Sequence, residues 1–207
     1  MCIRDSNKGY RITGVVNSDC HYNNHDAGYL RNYVLSPTDN PGRIKTENIV
    51  SACRRGNIVM SNGPFLDVSV STDKKSQAVP GDDLIATSGK VKISIRVQCP
   101  NWFDINRVQV FLNGRMAKNL NFTRRSQPEM FPATSVTRFN EIIEIELKED
   151  THVIVATIGE DLKIGPVQGE RRGADEPTAV ANPVFIDIDG NGFQFNNDNL
   201  GIDLDAE

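Results

Sequence analysis

The feature that most limits the fold of this chain is an alternation of apolar and polar residues that begins at Phe65. Successive side chains of a β-strand point to opposite faces, so this alternation predicts strands with one buried face. The pattern covers residues 65–70, 91–97, 107–112, 141–147, 152–157 and 184–188. Asn113-Gly114, after the third of these segments, is a strong signal for a tight turn. Repeated half-buried strands between polar turns predict an antiparallel β-sandwich over residues 67–193.

Residues 7–66 show a different pattern, with a short apolar run and one well-marked helix. The run at 10–16 lacks alternation, which is typical of a parallel strand covered on both faces. Thr46 resembles a helix N-cap, and Gly56 resembles the glycine that ends the same helix. The pattern changes near Leu66, so we expect an α/β portion followed by an all-β portion. An α/β barrel needs about 200 residues or more, so residues 7–66 are expected to form only a fragment of one.

Two potential metal ligands follow the apolar run, namely Asp19 and His21. Side chains at i and i+2 of an extended chain lie on one face, so these two can converge on one point. A carboxylate oxygen and an imidazole nitrogen suit Zn, Mn or Fe. In α/β barrels the chemistry lies at the C-terminal ends of the strands. The sequence therefore predicts a transition-metal site at Asp19 and His21, and a hydrogen-bonded loop is the alternative.

A second candidate site is the acidic segment that follows the last alternating run. It carries oxygen donors at the first, third, fifth and twelfth positions of a calcium-loop pattern, and these are Asp187, Asp189, Asn191 and Asp198. The twelfth residue is usually Glu, and the shorter Asp weakens the expected contact. The preceding residues also predict a strand rather than a helix. A strand-flanked calcium loop and a tight acidic turn both remain open.

Charge and hydropathy exclude two classes of partner. Lys and Arg number 23 against 27 Asp and Glu, a formal charge of −4, and no basic stripe is present, so we expect no nucleic-acid partner. No apolar run approaches the roughly 18 to 20 residues of a membrane span. The cysteines Cys20, Cys53 and Cys99 are widely spaced and predict neither a zinc knuckle nor a disulfide framework. The compartment and the oligomeric state stay open.

The two ends of the chain are set aside from this interpretation. Residues 1–6 resemble a translated sequencing-adapter sequence, and we expect them to carry no function. Residues 194–207 are expected to form an acidic, solvated tail.

Several motifs together resemble a known family. Asn17-Ser18-Asp19-x-His21 and Ser61-Asn62-Gly63-Pro64-Phe65 are the most specific of them. Arg31-Asn-Tyr-Val34, Ala52-x-x-x-Gly56, Trp102, Val108-x-Val-Phe-x-Asn-Gly114 and a run at 181–190 add to the match. The set is similar to the C-terminal half of the PHP-superfamily metallohydrolases, and most similar to their CehA/McbA branch.

The resemblance implies the end of a distorted, TIM-like PHP barrel at 7–66 that binds divalent Zn, Mn or Fe. It also implies metal-activated hydrolysis of phosphoester, ester or carbamate bonds in a small molecule. Asp19 and His21 match the final ligand motif of the family, whereas its earlier His-x-His motif has no counterpart here. We therefore expect an incomplete enzyme that is inactive alone. His25 and Arg31 are candidate substrate contacts, and an exposed loop histidine and a surface ion pair are the respective alternatives.

A non-catalytic function competes with this interpretation. A β-sandwich that recognises a carbohydrate or a protein, with a structural calcium ion at 187–198, fits the same sequence. Metal content separates the two, because the enzyme requires a transition metal and the binding module requires only calcium.

Overall fold

The computed structural model describes residues 3–23, 27–132 and 134–201, with side chains from Asp5 onward. In the part of the chain that the structure describes, strands make up 36% and helices 14%, so this part is mostly β. The described helices are short, and they are α1 (Ile3–Asn7), α2 (Thr46–Arg55) and α3 (Gly169–Gly173). None of them is long and apolar enough to cross a membrane.

The larger of two sheets has eight strands in the described residues. They are β1 (Arg31–Val34), β2 (Ile58–Ser61), β5 (Asp83–Ile85), β7 (Arg107–Leu112), β8 (Arg115–Thr123), β10 (Thr151–Ile158), β11 (Thr178–Ala181) and β12 (Val184–Asp187). The order is β1-β2-β11-β10-β12-β5, and β7 joins β10 to β8. All pairs are antiparallel except β12 with β5, which are parallel.

The smaller sheet has four antiparallel strands in the order β4-β3-β6-β9. These are β3 (Phe65–Ser71), β4 (Gln77–Ala78), β6 (Lys90–Gln98) and β9 (Thr137–Glu146). Strand β6 alternates strictly between buried and more exposed residues, as a strand with one buried face must. Its buried residues Ile93 and Ile95 belong to the same core cluster as Val110 and Val155 of the larger sheet. The two sheets therefore share one hydrophobic core.

The expected barrel fragment at 7–66 is wrong. Strands β1 and β2 lie in this region, but β2 pairs with β11 in the larger sheet, and no part of a TIM-like barrel is evident in the described residues. The apolar run at 10–16 forms no strand. Its Tyr10, Ile12 and Val15 are 64%, 59% and 54% exposed, whereas a parallel barrel strand is covered on both faces.

The predictions from alternation agree better with the structure. Each of the six alternating segments overlaps a described strand, and Asn113 and Gly114 form the turn between β7 and β8 with φ of 48° and 78°. Helix α2 is also present and ends at Gly56, whose φ of 84° is left-handed. Lys45 rather than Thr46 is its N-cap residue. Local signals therefore located six of the ten described strands from Phe65 onward.

The two ends of the described chain contact each other. Asn7, which ends α1, is buried, and its side-chain amide donates to the carbonyls of Asn113 and Asp198. The backbone N–H of Asn197 donates to the carbonyl of Asn7 at 2.8 Å. Residues 194–201, the described part of the expected tail, thus run beside the N-terminus.

Candidate metal centre

Residues 10–17, which we call the N-terminal segment, are held on the larger sheet by two asparagine side chains. Asn182, between β11 and β12, accepts from the N–H of Gly14 at 2.9 Å and donates to its carbonyl at 3.1 Å. Asn32, on β1, accepts from the N–H of Val16 at 3.0 Å and donates to its carbonyl at 2.8 Å. A side-chain amide offers one donor and one acceptor side by side, as a neighbouring strand would. The N-terminal segment therefore has strand-like geometry without a strand partner at this edge.

An ion pair and an aromatic contact fix the start of the same segment. Arg11 binds Asp83 through two hydrogen bonds of 2.8 and 2.7 Å. Its guanidinium also lies 4.1 Å from the centre of the Phe185 ring. These contacts hold the N-terminal segment against the larger sheet at Arg11, Gly14 and Val16. Asp19 lies just beyond the last of them.

Asp19 and His21 lie close together at the end of this path. The Nδ1 atom of His21 is 3.5 Å from Oδ1 of Asp19, and the two side chains are 52% and 91% exposed. Asp19 has a φ of 50°, a left-handed conformation that Asp tolerates better than most residues. This turn ends the extended path and brings the imidazole back over the backbone of Asp19.

The backbone of Asp19 also favours one tautomer of the neutral His21 ring. Nδ1 of His21 lies 2.6 Å from the carbonyl oxygen of Asp19. A carbonyl only accepts, so Nδ1 carries the proton in this contact and Nε2 is the unprotonated nitrogen of the neutral ring. Metal-binding histidines are commonly held this way, with one ring nitrogen donating to a carbonyl.

The donor set fits part of a transition-metal site. An Asp oxygen and a His nitrogen are both ligands of Zn²⁺, but tetrahedral zinc takes four ligands. Asp19 and His21 supply two, so the remaining donors have to come from elsewhere. The prediction of a metal at this pair remains a prediction.

The two candidate substrate contacts have different outcomes. His25 lies outside the described residues. Arg31, the first residue of β1, donates from a terminal nitrogen to the carbonyl of Asn62 at 3.1 Å. Arg31 therefore ties β1 to the turn after β2, and its role towards a substrate stays a prediction.

The acidic loop brings only part of the predicted calcium set together. Carboxylate oxygens of Asp187 and Asp189 lie within 4.8 Å of each other and of an oxygen of Asp150. Asn191 donates from its side chain to Asp189 at 2.6 Å. Asp198 instead forms two hydrogen bonds with Arg115 at 2.6 and 2.9 Å. Asp198, the twelfth residue of the predicted loop, is therefore paired with Arg115.

Backbone N–H groups of this loop donate hydrogen bonds to the buried carboxylate of Asp187. Asp187 accepts from the N–H groups of Asp189, Gly190 and Gly192 at 3.1, 2.6 and 2.8 Å. Burial acts to raise the pKa of Asp187, but these hydrogen bonds outweigh it and hold the pKa below its usual value. The carboxylate is therefore stable in charged form without a cation, which favours the tight acidic turn.

Asp150 was missed by the sequence interpretation because it precedes β10 with no motif around it. Thr151 pairs with Ile186 across the sheet, and this register places Asp150 beside Asp187. The position of Asp150 beside Asp187 therefore follows from the pairing of two strands. The spacing of residues along the chain does not reveal this pairing.

The chain was compared with known proteins by family, by sequence and by structure. No protein-family model, curated protein or solved structure matches it.

Proposed function

We propose that this chain contributes Asp19 and His21 to the metal centre of a metal-dependent hydrolase. The observation that carries the proposal is that two exposed ligand-type side chains are neighbours, with Nδ1 of His21 3.5 Å from Oδ1 of Asp19. Nε2, the nitrogen left for a metal, lies on the far side of the ring, so joint binding of one ion requires rotation of the His21 side chain. The Asn17-Ser18-Asp19-x-His21 motif, which resembles that of the PHP metallohydrolases, gives the same assignment. A metal bound there would lower the pKa of a water ligand and polarise the bond to be hydrolysed.

In this proposal the residues of the chain have distinct tasks. Asp19 supplies an anionic oxygen ligand, and its carbonyl holds the Nδ1 proton of His21 so that the ring presents Nε2 as a base. Asn32 and Asn182 fix the path that leads to this pair. The substrate class is a small phosphoester, ester or carbamate.

Two protein donors bind a metal weakly, so we expect weak Zn²⁺ binding and no turnover by this chain alone. Equilibrium dialysis with ⁶⁵Zn²⁺ measures the binding, and hydrolysis of aryl esters and aryl phosphates measures turnover. Asp19→Asn and His21→Gln should each abolish the binding, because one remaining donor does not hold the ion. Asp189→Asn, which removes an exposed carboxylate outside the proposed site, is the matched control and should leave it unchanged. Equal Zn²⁺ binding by the wild-type chain and His21→Gln would contradict the proposal.

The competing function is a binding module with a structural calcium ion, and the approach of Asp150 to Asp187 and Asp189 favours it. Calcium calorimetry distinguishes the two proposals. Heat of binding for Ca²⁺ that disappears in Asp187→Asn, together with no Zn²⁺ binding, supports the module.

A further inference from the structure

The N-terminal segment has a second backbone edge that points away from the two asparagines. In extended backbone, the N–H and C=O of one residue point to one edge, and those of the next residue point to the other. Gly14 and Val16 direct theirs to Asn182 and Asn32. Within the described residues, the backbone groups of Thr13, Val15 and Asn17 make no hydrogen bond.

The side chains along this edge do not protect it. Proteins usually guard an exposed strand edge with charged side chains, proline or a bulge. Residues 12–18 contain no charged residue and no proline. Ile12 and Val15 are 59% and 54% exposed, which is unfavourable for apolar side chains in water. The edge is therefore suited to pairing with another β-strand.

We propose that two copies of this chain pair through residues 12–18 as antiparallel strands around a two-fold axis at Val15. This register gives both strands the same contacts, as a closed two-fold dimer requires. Thr13, Val15 and Asn17 of one copy face Asn17, Val15 and Thr13 of the other. Each of these pairs exchanges two hydrogen bonds, because all three residues direct their backbone groups to the open edge.

The charge that follows the segment favours a second copy in antiparallel orientation. Arg11, before the uncharged stretch, is bound to Asp83 of its own chain, whereas the side chain of Asp19, after the stretch, is 91% exposed. Two-fold pairing about Val15 keeps the two Asp19 carboxylates at opposite ends of the paired strands, whereas parallel pairing in register sets them side by side. Like charges across strands are unfavourable.

The dimer is independent of the proposed metal centre. In this register the two Asp19–His21 pairs lie at opposite ends of the paired strands, roughly 25 Å apart for eight residues of extended chain. They cannot share one ion. Failure of the dimer would therefore leave the proposed function untouched, and the reverse also holds.

Sedimentation equilibrium over a range of protein concentrations tests the proposal. The wild-type chain should show a monomer–dimer equilibrium. Val15→Pro removes the N–H at the two-fold axis from both copies and should weaken dimerisation by about 10- to 100-fold. That N–H makes no hydrogen bond to any described residue, and proline suits extended backbone, so the fold should persist. Val167→Lys alters a similarly exposed apolar residue elsewhere, 62% exposed, and should dimerise like the wild type.

A cysteine cross-link tests the register itself, whether or not Val15→Pro folds. Residues that exchange hydrogen bonds across antiparallel strands have Cα atoms about 5.5 Å apart, within reach of a disulfide. In a background of Cys2→Ser, Cys20→Ser and Cys53→Ser, Val15→Cys should form a covalent dimer on mild oxidation and Val167→Cys should not. A monomer at every concentration would overturn the proposal. So would a dimer that Val15→Pro leaves intact, or equal cross-linking at the two positions.

Discussion

The side chain of Asn182 holds both backbone polar groups of Gly14, with Oδ1 2.9 Å from its nitrogen and Nδ2 3.1 Å from its carbonyl oxygen. Nδ2 of Asn182 also donates to the carbonyl of Ile58 at 3.2 Å. Asn182 is 1% exposed, so these hydrogen bonds form away from water. One side chain thus connects the N-terminal segment to β2 and to the turn between β11 and β12.

Replacing Asn182 by alanine should destabilise the protein by about 2–4 kcal/mol. The substitution leaves the buried N–H and the carbonyl of Gly14 without partners, whereas the carbonyl of Ile58 keeps the backbone N–H of residue 182. Each buried unsatisfied group costs about 1–3 kcal/mol. Urea unfolding measures the change. Asn191→Ala, at an exposed position, should change the free energy of unfolding by less than about 0.5 kcal/mol. A similar cost for both variants would show that Asn182 does not anchor the segment.

Acid should destabilise the fold through His152. This residue of β10 is fully buried, its two ring nitrogens have no hydrogen-bond partner among the described residues, and burial lowers its pKa from 6.5 to about 4. The unfolded chain therefore binds this proton more readily than the folded chain does, and stability falls as the pH drops from about 6.5 towards 4. A shift of this size corresponds to at most about 3 kcal/mol.

Urea unfolding at a series of pH values measures the contribution of His152. His152→Leu keeps a similar volume without a titratable group, and it should reduce the loss of stability between pH 7 and pH 4.5. His21→Gln removes an exposed histidine and should retain the wild-type loss. If His152→Leu and His21→Gln follow the same pH profile, this explanation is wrong.

A methyl group at position 81 should be strongly destabilising. A Cβ there would lie 2.4 Å from the carbonyl oxygen of Arg55 and 2.7 Å from the nitrogen of Asn57, at a φ of 94°. Backbone atoms at the end of α2 would have to move, so Gly81→Ala should cost more than about 2 kcal/mol. Gly192 has a φ of 100° but no neighbour within 4 Å of such a Cβ. Thermal unfolding of Gly192→Ala should therefore report backbone strain alone, with a clearly smaller loss.

The sequence predicted the strands after Phe65 well because their alternation reflects a local requirement. Strands β3 and β6 have one face on the core and bury every second residue, whereas β10 and β12 are buried almost throughout. The two upstream strands carry no such signal. All four residues of β2 are buried. The parallel strands of a barrel are also buried on both faces, so both kinds of strand appear in a sequence as a continuous apolar run. Assigning them to an α/β unit was therefore the wrong choice between two folds with similar local patterns.

Asp19 and His21 lie close together, but not through the extended strand that their spacing predicted, because Asp19 has a left-handed φ of 50° and the turn there brings the ring back. The contacts that hold the preceding segment were not predicted either. Asn182 lies 168 positions from Gly14, and no motif along the chain connects the two. The same limit applies to Asp150, which meets Asp187 only through the pairing of β10 with β12. Contacts that depend on strand register can be predicted only when the fold is known, whereas contacts within one segment can be predicted from the sequence.

Joint metal binding by Asp19 and His21 is tested most directly by paramagnetic broadening with Mn²⁺. In amide spectra of the isotope-labelled chain, substoichiometric Mn²⁺ should first broaden the signals of residues 17–23. His21→Gln should remove this selective effect and leave other signals as they were. Broadening that is centred on residues 187–192 instead, or that persists at residues 17–23 in His21→Gln, would contradict the account.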